Sequence, residues 1–222
     1  NGIKTWDNIY LIHNLYDLKD TNTKHIQEKI IHMNTQNDII IQPRIELSNS
    51  FKEILKITDN EYILDIESLI HLEEKTNYFD NLIEKDKATV CIIGSIHLQD
   101  NINKSFKDFT INNILLEEER TIVYNWIKSL KLCTKGYVKI YHWGHAEKTY
   151  LLNLKTKYKD IIFPKLILID LLHFFREEPI IIKNCFNFGL KNIGKAMYKH
   201  GFIKTTWTDT DNGLDAMIRF KQ

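Results

Sequence analysis

The chain has 222 residues, 43% of them hydrophobic and 27% charged, an ordinary globular composition with enough length for one large domain. The formal net charge of +1 gives no global indication of a nucleic-acid or membrane partner, and three widely spaced cysteines indicate buried thiols in a reducing, intracellular compartment. No signal peptide is visible, and the most apolar stretch, residues 161–175, contains Pro164, Lys165 and Asp170 and so does not predict a membrane span.

Residues 1–55 predict a helical linker, because segments 2–17 and 23–36 have apolar residues at helical spacing. The sequence begins with Asn1 rather than Met, so we expect it to be part of a longer protein. Residues 56–222 predict one α/β domain with a mixed β-sheet flanked by helices. The predicted strands are 61–68, 88–98, 105–111, 137–143 and 165–169, and the predicted helices are 117–133, 146–158, 171–178 and 189–200.

The strand EYILDIESL, residues 61–69, carries two carboxylates in an otherwise apolar run. Residues two apart on a strand point to the same face, so we expect Asp65 and Glu67 to lie side by side. A buried pair of like charges is costly unless a cation neutralises it, which points to a divalent metal ion. The alternative is a strand at the edge of the sheet with both carboxylates in solvent.

A second group of candidate residues lies in YHWGHAEKTYLLNL, residues 141–154, where a predicted strand turns at Gly144 into a helix. Glu147 falls in the first turn of that helix, just after a strand end, where α/β proteins collect functional groups. His142, His145 and Glu147 also allow a zinc interpretation, but their spacing does not match zinc ligands at i and i+4 of a helix. Taken singly, Glu147 is better explained by a favourable interaction with the helix dipole.

Two later aspartates occupy different local contexts. Asp170 ends the apolar run KLILI and precedes a helical LLHFFREE, so capping of that helix is its expected role. Near the end of the chain, TDTDNGLDAMIRF places Asp215 inside an amphipathic pattern after a glycine turn. Capping does not require a carboxylate at Asp215, and this makes it a candidate site residue.

Three strings together resemble the motifs of the DEDD exonuclease superfamily: DIES in a strand, the five-residue spacing from His142 to Glu147, and the late Asp in GLDAM. More narrowly, YHWGHAEKTYLLNL, LIDLLHFFREE and NFGLKNIGKAMYKHGF resemble the ribonuclease-H-like exonuclease domain of predicted RecB-family nucleases, over about residues 60–222. The resemblance implies a ribonuclease-H-like fold and a role in DNA repair. Upstream, GIKTWDNIYLI and QPRIEL resemble the linker that follows a RecB-like nuclease domain in these proteins, which implies such a domain upstream in the full-length protein.

The resemblance also implies the site and its cofactor. Two Mg²⁺ or Mn²⁺ ions would activate the attacking water and stabilise the leaving oxyanion. Such hard cations take oxygen ligands, which explains carboxylates rather than histidine or cysteine. By the family pattern, Asp65 would bridge both ions and Glu67 would bind the ion on the nucleophile side. Glu147 and Asp215 would complete the set of catalytic and metal-binding residues.

The chain departs from the family pattern at two points. The superfamily normally has Asp where this chain has Glu147, a longer side chain that can still reach a metal ion. The superfamily also has a His or Tyr before the last Asp to orient the water, whereas this chain has Thr210 and Asp211. The candidate replacements are His145 or His200 for the water, and Asp170 or Asp211 for Asp215.

Several cationic and aromatic residues are candidates for substrate binding. Lys191, Lys195 and Lys199 fall at i, i+4 and i+8 of a predicted helix, and such a stripe can hold backbone phosphates of any sequence. The alternative is a helix face exposed to solvent. His142 and Trp143 lie beside the middle motif, where we expect them to contact the substrate. Trp143, Phe186 and Phe188 are candidates for stacking on bases, unless they are buried in the core.

The resemblance implies a metal-dependent 3′–5′ exonuclease that hydrolyses nucleic acid, with DNA favoured over RNA. The rival is a catalytically impaired ribonuclease-H-like module that binds nucleic acid or scaffolds a partner nuclease. The missing water-orienting residue favours the rival, whereas carboxylates in all three motifs favour the enzyme. A structure-specific endonuclease would share the same site and differ in what surrounds it.

Overall fold

The computed structural model describes residues 21–35, 40–42, 52, 56, 58–69, 88–98, 105–177 and 180–205. Its elements in chain order are α1 (Thr21–Thr35), β1 (Ile41–Gln42), β2 (Glu61–Leu69), β3 (Thr89–His97), β4 (Ser105–Thr110), α2 (Leu116–Ser129), β5 (Val138–His142), α3 (Ala146–Lys157), β6 (Leu166–Asp170), α4 (Leu171–Glu177), β7 (Ile181–Ile182) and α5 (Leu190–Lys199). The chain forms two compact units, Ile54–Leu171 and the pair of segments Asn1–Glu53 and Leu172–Gln222. The predicted domain boundary at residue 55 stays a prediction.

The unit Ile54–Leu171 is built on a five-stranded mixed sheet in the order β4-β3-β2-β5-β6. The first three strands form an antiparallel meander, and β5 and β6 then add on the other side of β2, parallel to it. Helix α2 packs against β3 and β4, and helix α3 packs against β2. This architecture confirms the predicted α/β class with a mixed sheet flanked by helices.

The two faces of β2 differ in burial, as its sequence alternation requires. Tyr62, Leu64 and Ile66 are buried, and the Tyr62 hydroxyl accepts a hydrogen bond from the backbone N–H of Lys131, just after α2. The helices therefore cover this face. The opposite face begins with the buried Glu61 and continues with side chains that are open to solvent, which include Ile63.

A buried carboxylate ties α2 and α3 to the sheet. Glu119 in α2 is fully buried, and its Oε1 accepts the backbone N–H of Val90 in β3 at 2.7 Å. Its Oε2 accepts hydrogen bonds from Lys157 and Tyr158 at the end of α3. Burial and the bond to Glu119 raise the pKa of Tyr158, so the phenol stays protonated and acts as a donor. Glu119 is thus a structural group whose charge is neutralised by Lys157.

A second buried ion pair holds the start of β2. Glu61 accepts hydrogen bonds from Lys139 at 3.0 Å, from Tyr141 at 3.2 Å and from the backbone N–H of Thr58 at 2.7 Å. Burial opposes the charge on Lys139, but its hydrogen bonds to Tyr141 and Glu61 raise its pKa overall. Lys139 also donates to the backbone carbonyl of Lys56 at 2.7 Å. The pair fixes β2 against β5 on the face that carries Ile63.

Replacing His97 with phenylalanine is expected to weaken the pH dependence of stability between roughly pH 7 and pH 5. His97 is 8% exposed, stacks on Tyr62 with ring centroids 4.5 Å apart, and donates from Nε2 to the Asn60 side chain at 3.0 Å. Burial, with Lys131 and Lys107 nearby, lowers its pKa below the usual 6.5.

At a pH between the folded pKa and the usual pKa, the imidazole of His97 is therefore protonated in the unfolded chain and neutral in the folded chain. The contribution of neutral His97 to the free energy of unfolding is complete above the usual pKa, and it decreases as the pH falls towards the folded pKa. Urea unfolding of both proteins across this range measures the difference. Identical slopes of unfolding free energy against pH would contradict the assignment.

The other unit contains α1, a two-stranded antiparallel sheet of β1 and β7, and α5. Its apolar interior includes Met33 from α1, Ile182 from β7 and Ile193 from α5. The side-chain oxygen of Asn34 in α1 accepts a hydrogen bond from the backbone N–H of Asn184 at 2.7 Å, and this bond links α1 to the residues just after β7. Asn184 has a φ of 67°, in the left-handed region that asparagine tolerates better than most residues.

Two predictions from the sequence concern the state of the cysteines and the presence of a membrane-spanning helix. Cys91, Cys133 and Cys185 are free and buried, as predicted, and burial raises the pKa of the Cys91 thiol to about 11. Within the described parts of the chain, every helix is too short or too polar to cross a bilayer.

Candidate active site

Asp65 and Glu67 lie on the exposed face of β2, as two carboxylates separated by one residue. Asp65 is in register with Gly94 of β3, and Glu67 with Ile92. Strand β2 is the central strand of the sheet, so the alternative of an edge strand is wrong. Both side chains are nevertheless exposed, as that alternative expected, so Asp65 and Glu67 are not a buried pair of like charges.

The strand register places Asp65 near the ends of β5 and β6. The last parallel pair between β2 and β5 is Ile63 with Tyr141, so Asp65, two residues further, lies at the level of Trp143. Strands β5 and β6 end together, with His142 in register with Asp170. Parallel strands collect functional groups at their carboxyl edge, and the chain turns there into α3.

Glu147 lies in the first turn of α3 and is only 6% exposed. Its Oε2 atom is 3.7 Å from Nδ1 of His142 and has no hydrogen-bond partner in the described structure. The Nδ1–H of His142 instead donates to the carbonyl of Gly144 at 2.7 Å. The positive end of the helix dipole favours a carboxylate here, but an unpartnered buried polar atom costs about 1–3 kcal/mol. Oε2 of Glu147 is therefore a buried carboxylate oxygen that a bound cation would satisfy.

Asp170 fixes the turn that leads to Glu147. Its Oδ1 accepts the backbone N–H of Gly144 at 2.8 Å. Gly144 has a φ of 88°, which favours glycine, so the turn depends on both residues. The predicted capping role of Asp170 stays a prediction, whereas its bond to Gly144 gives it a positioning role that the sequence did not reveal.

The metal-binding prediction can be compared with the donors that the structure describes. Asp65, Glu67 and Glu147 offer only carboxylate oxygens, the ligands that Mg²⁺ and Mn²⁺ prefer. Among the described residues, no group of three or more His, Cys, Asp or Glu side chains is arranged to hold a metal ion. Asp215, and with it Thr210 and Asp211, lies outside the described residues. The orphaned Oε2 of Glu147 is the observation that fits a cation best.

The predicted substrate-binding residues fall in two places. His142 is buried and Trp143 half-buried at the carboxyl end of β5, beside Glu147. Lys191, Lys195 and Lys199 belong to α5 in the other unit, as the predicted helical stripe requires. Lys195 and Lys199 are exposed, whereas Lys191 is half-buried.

Two candidate features were not predicted from the sequence, although Phe186, Lys195 and Lys199, which line the second, were named as candidates for substrate binding. Phe106 of β4 is 64% exposed, and its ring lies over Gly94, the residue opposite Asp65, at 3.6 Å from where a Cβ would be. In the other unit, a cavity of about 290 Å³ forms in front of α5. It is lined by Asn184, Phe186, Asn187, Asn192, Lys195, Ala196 and Lys199. The available signal was the repeated asparagine around phenylalanine in KNCFNFGLKN.

Neither a protein-family model nor a curated protein matches the chain.

Proposed function

We propose that the chain is a metal-dependent 3′–5′ exonuclease with a ribonuclease-H-like fold, acting on nucleic acid and preferentially on DNA. The observation that carries the proposal is the same-face pair Asp65 and Glu67 on the central strand, level with the turn that brings in Glu147. The antiparallel meander β2-β3-β4, followed by two strands parallel to β2, supports the fold assignment. The resemblance of the three sequence motifs supports the activity.

The proposed ligands of the metal ions are Asp65, Glu67, Glu147 and Asp215, with Asp170 or Asp211 as the alternative to Asp215. When bound, two Mg²⁺ or Mn²⁺ ions supply an activated water and stabilise the charge on the leaving oxygen. The protein positions its ligands by other contacts. Asp170 holds Gly144, and the pairing of β2 between β3 and β5 fixes Asp65.

The candidates for the water-orienting residue are His145 and His200. His200 already contacts the backbone carbonyl of Lys183 through Nε2 at 2.9 Å. His145 is exposed at the start of α3, two residues before Glu147. Since its side chain is exposed and it precedes a proposed ligand by two residues, we favour His145 for this role over His200.

The second candidate function is a non-catalytic ribonuclease-H-like module that binds nucleic acid or scaffolds a nuclease partner, for example a RecB-like domain upstream. The observation that favours it is that the described carboxylates are not gathered into a metal-holding group. The missing water-orienting side chain at Thr210 and Asp211 points the same way.

One experiment separates the two functions. The purified chain is incubated with labelled single-stranded and double-stranded DNA and RNA in Mn²⁺, in Mg²⁺ and in EDTA, and binding and cleavage are both measured. The exonuclease predicts cleavage that requires the metal ion. Binding that persists in EDTA without any cleavage in Mn²⁺ would identify the non-catalytic module.

Metal binding itself is expected to appear as a thermal shift. At a Mn²⁺ concentration about a hundred times the Kd, the folded chain gains about 2.7 kcal/mol, or roughly 5–10 °C in Tm for a chain of this size. Replacing Glu147 with glutamine is expected to reduce this shift while leaving the Tm in EDTA unchanged or higher. The reason is that the replacement removes a proposed metal ligand and also the charge on a buried carboxylate whose Oε2 has no hydrogen-bond partner among the described residues.

The control for the thermal shift is Asp160→Asn. Asp160 is an exposed carboxylate paired with Arg120, and it follows the carboxyl-terminal end of α3, whereas Glu147 lies in the first turn of that helix. This variant is expected to keep the full shift. A shift of equal size in the Glu147→Gln protein would remove Glu147 from the ligand set.

A further inference from the structure

The cavity in front of α5 has the chemistry of a site for an anionic, flat ligand. Phe186 is 50% exposed and offers an aromatic surface, while Lys195 and Lys199, four residues apart on one side of α5, supply positive charge. No acidic side chain is found among the described residues that line the cavity. Its volume of about 290 Å³ is at the low end for small-molecule sites, and it suits one base with its phosphate rather than a base pair.

The amide groups of the cavity are held in one orientation. Oδ1 of Asn187 accepts the backbone N–H of Gly189 at 2.8 Å, and it also accepts Nδ2 of Asn192 at 2.8 Å. Because a backbone N–H can only donate, the oxygen of Asn187 must face Gly189, and Asn192 must then present its nitrogen to Asn187. Nδ2 of Asn187 is thereby left as a donor, and Oδ1 of Asn192 as an acceptor. The two residues thus carry one amide donor and one amide acceptor of fixed identity, the two kinds of group with which an unpaired base can form hydrogen bonds.

The cavity is built from contacts that do not require a ligand. Cys185, the residue before Phe186, is buried, and its Sγ donates a hydrogen bond to the backbone carbonyl of Asn187 at 3.0 Å. Ala196, buried and small, lines the cavity between the two lysines of α5. The position of Phe186 between the anchored residues Cys185 and Asn187 limits the movement of its backbone.

We propose that this cavity binds one nucleotide of a single-stranded nucleic acid, with its base on Phe186 and its phosphate at Lys195 and Lys199. The inference rests on the proposed function in taking nucleic acid as the substrate, and it adds a strand-binding subsite to it. It also differs from a simple lysine stripe, because Lys191 does not line the cavity although it belongs to the same series.

The test measures binding of a short fluorescein-labelled oligothymidylate by anisotropy in EDTA, so that cleavage plays no part. Phe186→Ala is expected to weaken binding roughly 5- to 150-fold, the range for losing one base–aromatic stack, without changing the salt dependence. Lys199→Ala is expected to weaken binding and to reduce the slope of log K against log salt by about 0.7. Lys191→Ala is expected to change both quantities less than Lys199→Ala does.

The matched controls come from the other unit. Tyr124 is an aromatic residue of similar exposure, 48%, and Lys155 is an exposed lysine in the last turn of a helix, as Lys199 is. Tyr124→Ala and Lys155→Ala are expected to bind like the wild type. Equal affinities for the wild type and Phe186→Ala, or equal losses in the variants and their controls, would overturn the inference.

The outcome separates this inference from the proposed function. Binding localised to Phe186 and Lys199 in a chain that never cleaves would support the cavity and refute the exonuclease. Metal-dependent cleavage by a chain whose binding is indifferent to both substitutions would support the exonuclease and refute the cavity. Absence of measurable binding by the wild type would also refute the cavity.

Discussion

Asp65→Asn is expected to reduce metal-dependent cleavage by about a thousand-fold or more, with the fold intact. The proposed role of Asp65 is to hold both metal ions, and the ions supply several kcal/mol of transition-state stabilisation, each ~1.4 kcal/mol being a factor of ten in rate. The side chain is exposed on the central strand β2, so an isosteric amide leaves the core unchanged. Cleavage rates under single-turnover conditions in Mn²⁺ measure the effect.

A control variant and a check of folding accompany Asp65→Asn. Asp160→Asn removes an exposed carboxylate of the same unit and is expected to cleave like the wild type. Circular dichroism and the Tm in EDTA check that Asp65→Asn is folded. A folded Asp65→Asn protein with at least a tenth of the wild-type rate would exclude this carboxylate from the catalytic site.

Glu119→Ala is expected to destabilise the Ile54–Leu171 unit by about 3–5 kcal/mol. Glu119 is fully buried and accepts hydrogen bonds from Val90 of β3 and from Lys157 and Tyr158 at the end of α3. Truncation leaves the Val90 N–H unpaired in the core and the Lys157 ammonium without its partner, so the desolvation cost of both groups is no longer offset. Urea unfolding measures the loss.

A neighbouring residue provides the comparison. Glu117→Ala, on the exposed side of the same helix turn, is expected to change the unfolding free energy by less than about 0.5 kcal/mol. Glu119→Gln keeps a hydrogen-bond acceptor for Val90 and is expected to fall between the two alanine variants. If Glu119→Ala and Glu117→Ala unfold at the same urea concentration, the buried network is not a determinant of stability.

The class of the fold followed from the sequence because its main signals are local. The alternation in EYILDIESL predicts a strand, and the helical spacing in AEKTYLLNLKTKY predicts a helix. Each pattern arises within a single segment that packs one face against the core. The pairing order of the strands is different, since it depends on contacts between segments far apart in the chain. The position of β2 at the centre of the sheet, which removed the edge-strand alternative, was therefore not readable from its own residues.

The candidate site was predictable to the extent that it depends on spacing. Asp65 and Glu67 share a face because a strand repeats every two residues, and the structure has them so. The bond from Gly144 to Asp170 was not predictable, because it joins the ends of two strands 26 residues apart. The cavity at Phe186 likewise arises from a turn and a helix whose asparagines are oriented by each other.

The central claim is tested most directly by following a 5′-labelled single-stranded DNA incubated with the wild-type chain in Mn²⁺ and resolved by length. The account predicts a ladder of products shortened one nucleotide at a time from the 3′ end, absent in EDTA and absent with Asp65→Asn. An oligonucleotide that remains intact in Mn²⁺, or a ladder that persists unchanged with Asp65→Asn, would contradict it.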